Sequence, residues 1–251
     1  MGNIIAVVNQ KGGVGKTTTA VNLTAALTEA GKKVLLCDFD PQANATSGMG
    51  VDKRRAKKSV YDVIIDEAPA GDVVVRTKYG DVLPSSPDLA GAAVELLSVP
   101  EPNFRLRNAL DAVKEQYDLI LIDCPPSLEL LTVNALAAAD GILVPVQCEY
   151  FALEGLADLM NTLRLIKKRI NPRLEIFGVI LTMFDGRTNF STQVAQEVRR
   201  HFPGKAYATV IPRNVRLAEA PSHGLPITVY DRSSKGAKAY QAVAQEIIKK
   251  L

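Results

Sequence analysis

Cysteine is scarce in this 251-residue chain: Cys37, Cys124 and Cys148 are far apart, odd in number and never in a C-x-x-C pair. A zinc or iron–sulfur site within one chain is therefore poorly supported, and a reduced cytoplasmic interior is the expected setting. No apolar run approaches membrane length, and Met1-Gly2-Asn3 passes straight into a strand pattern without a basic n-region, h-region or cleavage site. The reading is a soluble protein with no membrane span and no secretory leader. No internal repeat, low-complexity tract or linker is visible. Charge of one sign is not in large excess: a net +3 permits an anionic partner without requiring one.

What is present is ordinary for a globular chain, with 47% hydrophobic and 23% charged residues. Residues 1–251 are expected to form a single domain with ample volume for a core. Apolar strand patterns at 4–8, 33–37, 119–122, 141–146 and 176–182 alternate with helical patterns at 17–30, 103–115, 128–138, 153–170 and 236–251. Strands this apolar, alternating with helices, predict an α/β fold with a mostly parallel central sheet and helices on both faces. Residues 43–50 read as a loop, 194–202 as a helix, 206–211 as a further strand and 212–226 as a functional loop. The segment 59–98 reads only as short helices around a brief strand near 82–84. The basic run at 53–58 reads first as solvated surface.

The chemistry begins between the first strand and first helix, at Gln10-Lys11-Gly12-Gly13-Val14-Gly15-Lys16-Thr17-Thr18. Three glycines in four positions let backbone N–H groups turn around an anion at a helix N-terminus. The spacing predicts a phosphate loop formed by Gly12, Gly13, Val14, Gly15, Lys16, Thr17 and Thr18. Lys16 would reach the β- and γ-phosphates and the Thr17 hydroxyl would ligate Mg²⁺. The usual G-x-x-x-x-G-K-[ST] pattern asks for glycine where Gln10 stands, so this is a deviant P-loop, with a second lysine at Lys11.

Two acidic positions are expected at the same end of the sheet. Asp123 follows four apolar residues, the Walker B position, where a carboxylate supports Mg²⁺ through water. Asp38 and Asp40 follow the second strand; Asp40 is the candidate to orient or deprotonate attacking water, and Asp38 reads as structural. Thr182-Met183-Phe184-Asp185 replaces the Asn-Lys-x-Asp of a guanine-specific switch, which favours adenine.

Taken together, Lys-Gly-Gly-Val-Gly-Lys-Thr-Thr, Asp-Phe-Asp-Pro-Gln, Ile-Asp-Cys-Pro-Pro-Ser and Ile-Pro-Arg-Asn-Val-Arg-Leu-Ala-Glu-Ala-Pro-Ser resemble the chromosomal ParA/Soj ATPases, from Asn3 to the final helix. The resemblance implies an ATPase with ATP and Mg²⁺ as cofactors, in which two subunits sandwich two ATP molecules. Lys11 would then reach across to the partner's phosphates, with Lys11, Lys16 and Asp40 as catalytic residues. Gly12 would lie at the subunit interface, and Pro212 and Asn214 would line the adenine pocket. The family also implies sequence-independent binding to double-stranded DNA as an ATP dimer, and a centromere-binding ParB partner that stimulates hydrolysis. The matching DNA contacts would be Arg187 and Arg216, with Lys235, Lys238 and Lys250 further along a basic surface, and the location would be the nucleoid. Plasmid relatives often carry an N-terminal DNA-binding extension, and the P-loop here begins too early for one.

Two rivals share the scaffold. A MinD-type ATPase would work on a membrane and would need an amphipathic anchor, for which the stripe Tyr240, Val243, Ala244, Ile247, Ile248 and Leu251 is the available segment. That stripe lacks Phe and Trp, and its simpler reading is a helix packed on the sheet. A ligase or iron–sulfur reductase would recruit groups such as Cys124, whose simpler role is a small buried residue at a strand end.

Overall fold

The computed structural model describes residues 2–127, 129–149 and 152–251, with the side chains at 152–154 excepted. In chain order the strands are β1 (Asn3–Val7), β2 (Val34–Asp38), β3 (Asp81–Leu83), β4 (Leu119–Asp123), β5 (Gly141–Gln147) and β6 (Glu175–Thr182). The helices are α1 (Lys16–Glu29), α2 (Asn44–Gly48), α3 (Val60–Ile64), α4 (Ala70–Val73), α5 (Leu89–Glu95), α6 (Arg105–Asp111), α7 (Leu130–Ala138), α8 (Ala152–Arg169), α9 (Asn189–His201), α10 (Val215–Glu219), α11 (Ile227–Tyr230) and α12 (Lys235–Ile248).

The strands pair in the order β3-β2-β4-β1-β5-β6, every pair parallel. Alternate residues of each strand enter opposite cores, which is why the strands read as unbroken apolar runs. Along β1, Ile4 and Ala6 join a core under α3 to α9, whereas Ile5 and Val7 join one under α1 and α12. The sheet order carries the chain outward from β1 in both directions. That makes the carboxyl edge beside β1 a crevice between diverging loops, where sheets of this kind bind ligands. Among the described residues no helix is long and apolar enough to cross a membrane.

Several expected segments take a different form. Residues 43–50 are not a plain loop: α2 forms there because the Thr46 N–H and hydroxyl both donate to buried Asp38, each at 2.7 Å. Residues 206–211 do not form a strand. They meet β6 where the Tyr207 N–H donates to Val179 O and the Ile211 N–H to Leu181 O, with isolated bridges of Ala206 with Val179 and, past the ends of both segments, Pro212 with Phe184. Between those bridges the N–H groups of Ala208 and Thr209 donate to the Glu246 carboxylate on α12 instead of to a neighbouring strand, both at 2.9 Å. The Tyr207 ring meanwhile occupies the space over Gly178, where a Cβ would collide with it.

The segment 212–226 contains α10, capped by the Asn214 side chain accepting the Arg216 N–H at 2.8 Å, and a short 3-10 turn. The 103–115 helix stops at Asp111 and resumes as a 3-10 turn at Lys114–Gln116. The helix expected at 194–202 begins earlier, at Asn189, where the Thr188 hydroxyl accepts the Ser191 N–H. Residue 128, the expected start of α7, lies outside the described residues. On α12 the stripe of Tyr240, Val243, Ala244 and Ile247 is buried, while Leu251 lies beyond the helix and is exposed.

Candidate active site

Three loops meet at the carboxyl edge of β1, β4 and β2, which lie side by side. The loop after β1 turns through Gly13 (φ +75°) and Gly15 (φ +90°), left-handed conformations that a side chain would strain. Gly12 has a negative φ and no described residue within 4 Å of the Cβ position, so the packing of the described residues does not require glycine there. The loop is braced at both ends. The Asn9 amide donates to Pro145 O at 2.8 Å, and the Thr182 hydroxyl donates to Val14 O at 2.8 Å. Gln10, the departure from the usual pattern, donates its amide to the Thr162 hydroxyl on α8 at 3.3 Å.

Lys16 opens α1 and is buried, its ammonium donating to Lys11 O at 3.3 Å. Burial lowers its pKa, opposed first by Asp123 and then by Cys124 and Asp40. The Asp123 carboxylate is fully buried, and neither oxygen has a hydrogen-bond partner among the described residues. Burial pushes its pKa well up, with Asp38 adding to the rise; the Thr17 hydroxyl and Lys16 favour the charged form, yet the hydroxyl completes no hydrogen bond with it. The orphaned carboxylate and the hydroxyl are hard oxygen donors suited to Mg²⁺, and the ammonium beside them suits a phosphate.

Asp38 faces Asp123 directly across the β2–β4 ladder. Its oxygens accept Thr46 N–H, Thr46 hydroxyl and, at 3.3 Å, Asp40 N–H. Burial pushes its pKa up to about 6 despite these donors. Asp40 lies one step beyond, half-buried, with one carboxylate oxygen accepting Gln42 N–H at 2.9 Å.

A cavity of about 360 Å³ extends from the phosphate loop and is lined by Gly15, Thr18, Thr182, Met183, Pro212 and Asn214, among others. The two positions expected to lie beside the base thus reach the phosphate loop, although they follow it by almost two hundred residues. Asn214 commits its side-chain oxygen to capping α10, which leaves the amide NH₂ as the group for a ligand. Met183, absent from the sequence-based candidates, holds φ +50° at the cavity wall. Such a conformation in a long side chain carries no sequence signal.

Lys11 is anchored away from its own loop by an ion pair with Glu149 at 3.1 Å, in which both side chains stay partly exposed. Glu149 was missed in the sequence, although it follows β5 as Asp40 follows β2 and the same strand-end rule finds it.

The five basic residues expected at a DNA surface are spread out. Arg187 follows β6 and forms a two-bond fork with Asp185, at 2.7 and 2.9 Å, which holds the Asp185 carboxyl down at about 2. Arg216 pairs with Glu219 at 2.9 Å and with Asp231 at 3.6 Å. Lys235 and Lys238 are exposed at the start of α12. Lys250 lies past the far end of α12, over the Tyr207 ring at 4.2 Å, and lines a different cleft with Asn3, Asp140 and Glu175 at the amino ends of the strands. It is therefore separated from the other four by the length of the sheet.

An all-parallel sheet, a glycine-rich turn into α1 and buried Lys16 beside Asp123 define a P-loop NTPase of the deviant Walker A type. A family described as an AAA domain matches residues 2–176. Sporulation initiation inhibitor protein Soj of Bacillus subtilis is 56% identical over 249 residues, 98% of this chain and 98% of that one. Chromosome partitioning protein ParA of Caulobacter vibrioides is 51% identical over 249 residues, 98% of this chain and 93% of that one. The solved structure of cobyrinic acid a,c-diamide synthase from Mycobacterium smegmatis, with bound ADP and magnesium, superposes with TM-score 0.86 at 37% identity, covering 99% of this chain and 95% of that one. The chain belongs to the ParA/Soj family of chromosome-partitioning ATPases.

Proposed function

We propose that the protein is an ATP-dependent dimeric switch that binds DNA without sequence preference and hydrolyses ATP to drive DNA segregation with a ParB-type partner. The observation that carries the ATPase part is the meeting, at one sheet edge, of buried Lys16, half-buried Asp40 and the orphaned Asp123 carboxylate. In this reading the N–H groups of 12–18 and the Lys16 ammonium hold the phosphates, and Thr17 and Asp123 hold Mg²⁺, Asp123 through water. The ion, when bound, neutralises charge on the β- and γ-phosphate oxygens. Asp40 orients the attacking water and accepts its proton, and the cavity wall at Pro212 and Asn214 receives the adenine.

Lys11 completes the site in trans. Its ammonium is held by Glu149 rather than by its own phosphate loop, and a partner's ATP would compete for it with a more highly charged group. Gly12, exposed and required by none of the described residues, keeps that face free for the partner. A positive charge supplied across the interface makes hydrolysis depend on dimerisation. ATP then makes the dimer, the dimer aligns Arg187, Arg216, Lys235 and Lys238 of both subunits, and hydrolysis dissolves the surface. The expected location is the cytoplasm, on the nucleoid.

The α12 stripe that the membrane-surface alternative would use is packed on α1 and the sheet. Cys124 offers little to a redox reading: it is fully buried, and burial pushes its thiol well up.

Arg187→Glu tests the DNA surface. ATP affinity and ATP-dependent dimerisation should stay at parental levels, since Arg187 is exposed and, among the described residues, bonded only to the neighbouring Asp185. Affinity for unrelated duplexes should fall about tenfold at moderate salt, and the salt slope should shrink by roughly two, one phosphate contact per subunit. Unchanged affinity and slope would remove Arg187 from the interface.

A further inference from the structure

Residue 40 is held by a closed ring of hydrogen bonds that includes a residue from the end of the neighbouring edge strand. The Asp40 N–H donates to Asp38 Oδ1 at 3.3 Å. Asp38 Oδ2 accepts the Thr46 hydroxyl at 2.7 Å, and the Thr46 oxygen in turn accepts Ser85 N–H at 3.0 Å. The Ser85 hydroxyl closes the ring by donating to Asp40 O at 2.8 Å. Asp38, Thr46 and Ser85 are all fully buried.

The loop is determined from within as well. Ala43 N–H donates to the same Asp40 carbonyl at 2.9 Å, with Ala43 held at φ +53°, a conformation that persists in a non-glycine residue only when its surroundings impose it. Both backbone groups of Asp40 are therefore fixed, while its carboxylate is left at the half-buried edge with Gln42 N–H on one oxygen. Ser85 follows β3, so this edge strand, three residues long, supplies a buried donor to the loop that carries the carboxylate. The hydrophobic core does not need that hydroxyl, and a small apolar residue would fill the same place.

We propose that Ser85 and Thr46 are positioning residues for hydrolysis, clamping the Asp40 backbone so that its carboxylate is presented to the attacking water. This rests on the reading of Asp40 given above. A group that must meet water beside a phosphate is sensitive to displacements of about 1 Å, so the backbone that carries it has to be held.

The test is single-turnover and steady-state ATP hydrolysis by the full chain, with affinity for a fluorescent ATP analogue measured alongside. Ser85→Ala should lower kcat at least about tenfold while KM and analogue affinity stay within about twofold. Thr46→Val should behave alike, and Thr46→Ser, which restores the oxygen, should recover most of the lost kcat. In an Asp40→Ala background, Ser85→Ala should lower the residual rate no further, because a clamp has nothing left to position. Parental kcat in Ser85→Ala with ATP bound would overturn the proposal. So would an equal fold-loss in the Asp40→Ala background, which would mean that Ser85 acts independently. Parental hydrolysis by Asp40→Ala alone would show instead that the reading of Asp40 fails, and the clamp would fall with it.

Discussion

Asp40→Ala is expected to bind ATP and to form the ATP dimer as the parent does, yet to hydrolyse ATP roughly 10²–10⁴-fold more slowly, the range for removing a group that manages the proton of attacking water. Binding should survive because, among the described residues, the carboxylate accepts only Gln42 N–H, while the phosphate loop, Lys16 and the cavity at Pro212 and Asn214 stand on other elements. The backbone of residue 40, which carries the bonds to Asp38 and Ser85, is unchanged by the substitution. The variant should accumulate as a DNA-bound dimer, since the release step is the one it lacks. Phosphate release, analytical ultracentrifugation with ATP and retention on DNA check the three parts. Parental hydrolysis would put the catalytic carboxylate elsewhere, and loss of ATP binding would make Asp40 part of the nucleotide pocket.

Asp123→Asn should move stability and activity in opposite directions. The carboxylate is fully buried with both oxygens unpartnered, so without nucleotide and Mg²⁺ it is a liability that a neutral amide relieves. The sign follows from its raised pKa. Below the unfolded carboxylate pKa both states carry the proton. As pH rises beyond that, the unfolded chain ionises while the folded one resists, so stability is lost progressively up to the folded pKa. Asp38, raised to about 6 and facing Asp123 across the ladder, acts in the same direction. The asparagine variant removes one of these two contributions. Its advantage over the parent should therefore widen from pH 5 to pH 8, reaching on the order of 1–3 kcal/mol. For a domain of this size that is a rise in Tm of about 2–4 °C per kcal/mol. With Mg²⁺ and ATP present, the same variant should lose most of its hydrolysis and most of the Mg²⁺-dependent rise in Tm. Calorimetry with and without Mg²⁺ and ATP separates the two effects; a less stable apo variant would mean that Asp123 has a structural partner.

The sequence made the middle of this fold legible because burial on both faces writes itself as apolar runs. β1, β2, β4, β5 and β6 were all expected within a residue or two, and the turn through Gly13 and Gly15 could be read from composition alone. Legibility failed where contacts far apart in the chain decide the local structure. Residues 206–211 have the composition of a strand, but the Glu246 carboxylate takes the N–H groups of Ala208 and Thr209. Residues 43–50 look like a loop until Asp38 gathers Thr46 and starts α2. In the site, Lys16, Asp40 and Asp123 announced themselves by following strands or glycines. Ser85 could not, because it is an ordinary serine in an ordinary segment, and its relevance exists only through a carbonyl 45 residues away. Glu149 was open to the strand-end rule, but its pairing with Lys11, 138 residues away, is written in neither segment.

In the proposed switch ATP creates the DNA-binding form. Its most direct test is affinity for several unrelated duplexes with ATP, with ADP and without nucleotide, each across a salt series. Tight binding is expected with ATP alone, with equal affinity for every sequence and a steep loss with salt. Binding that ignores the nucleotide, or that selects one sequence, would contradict it.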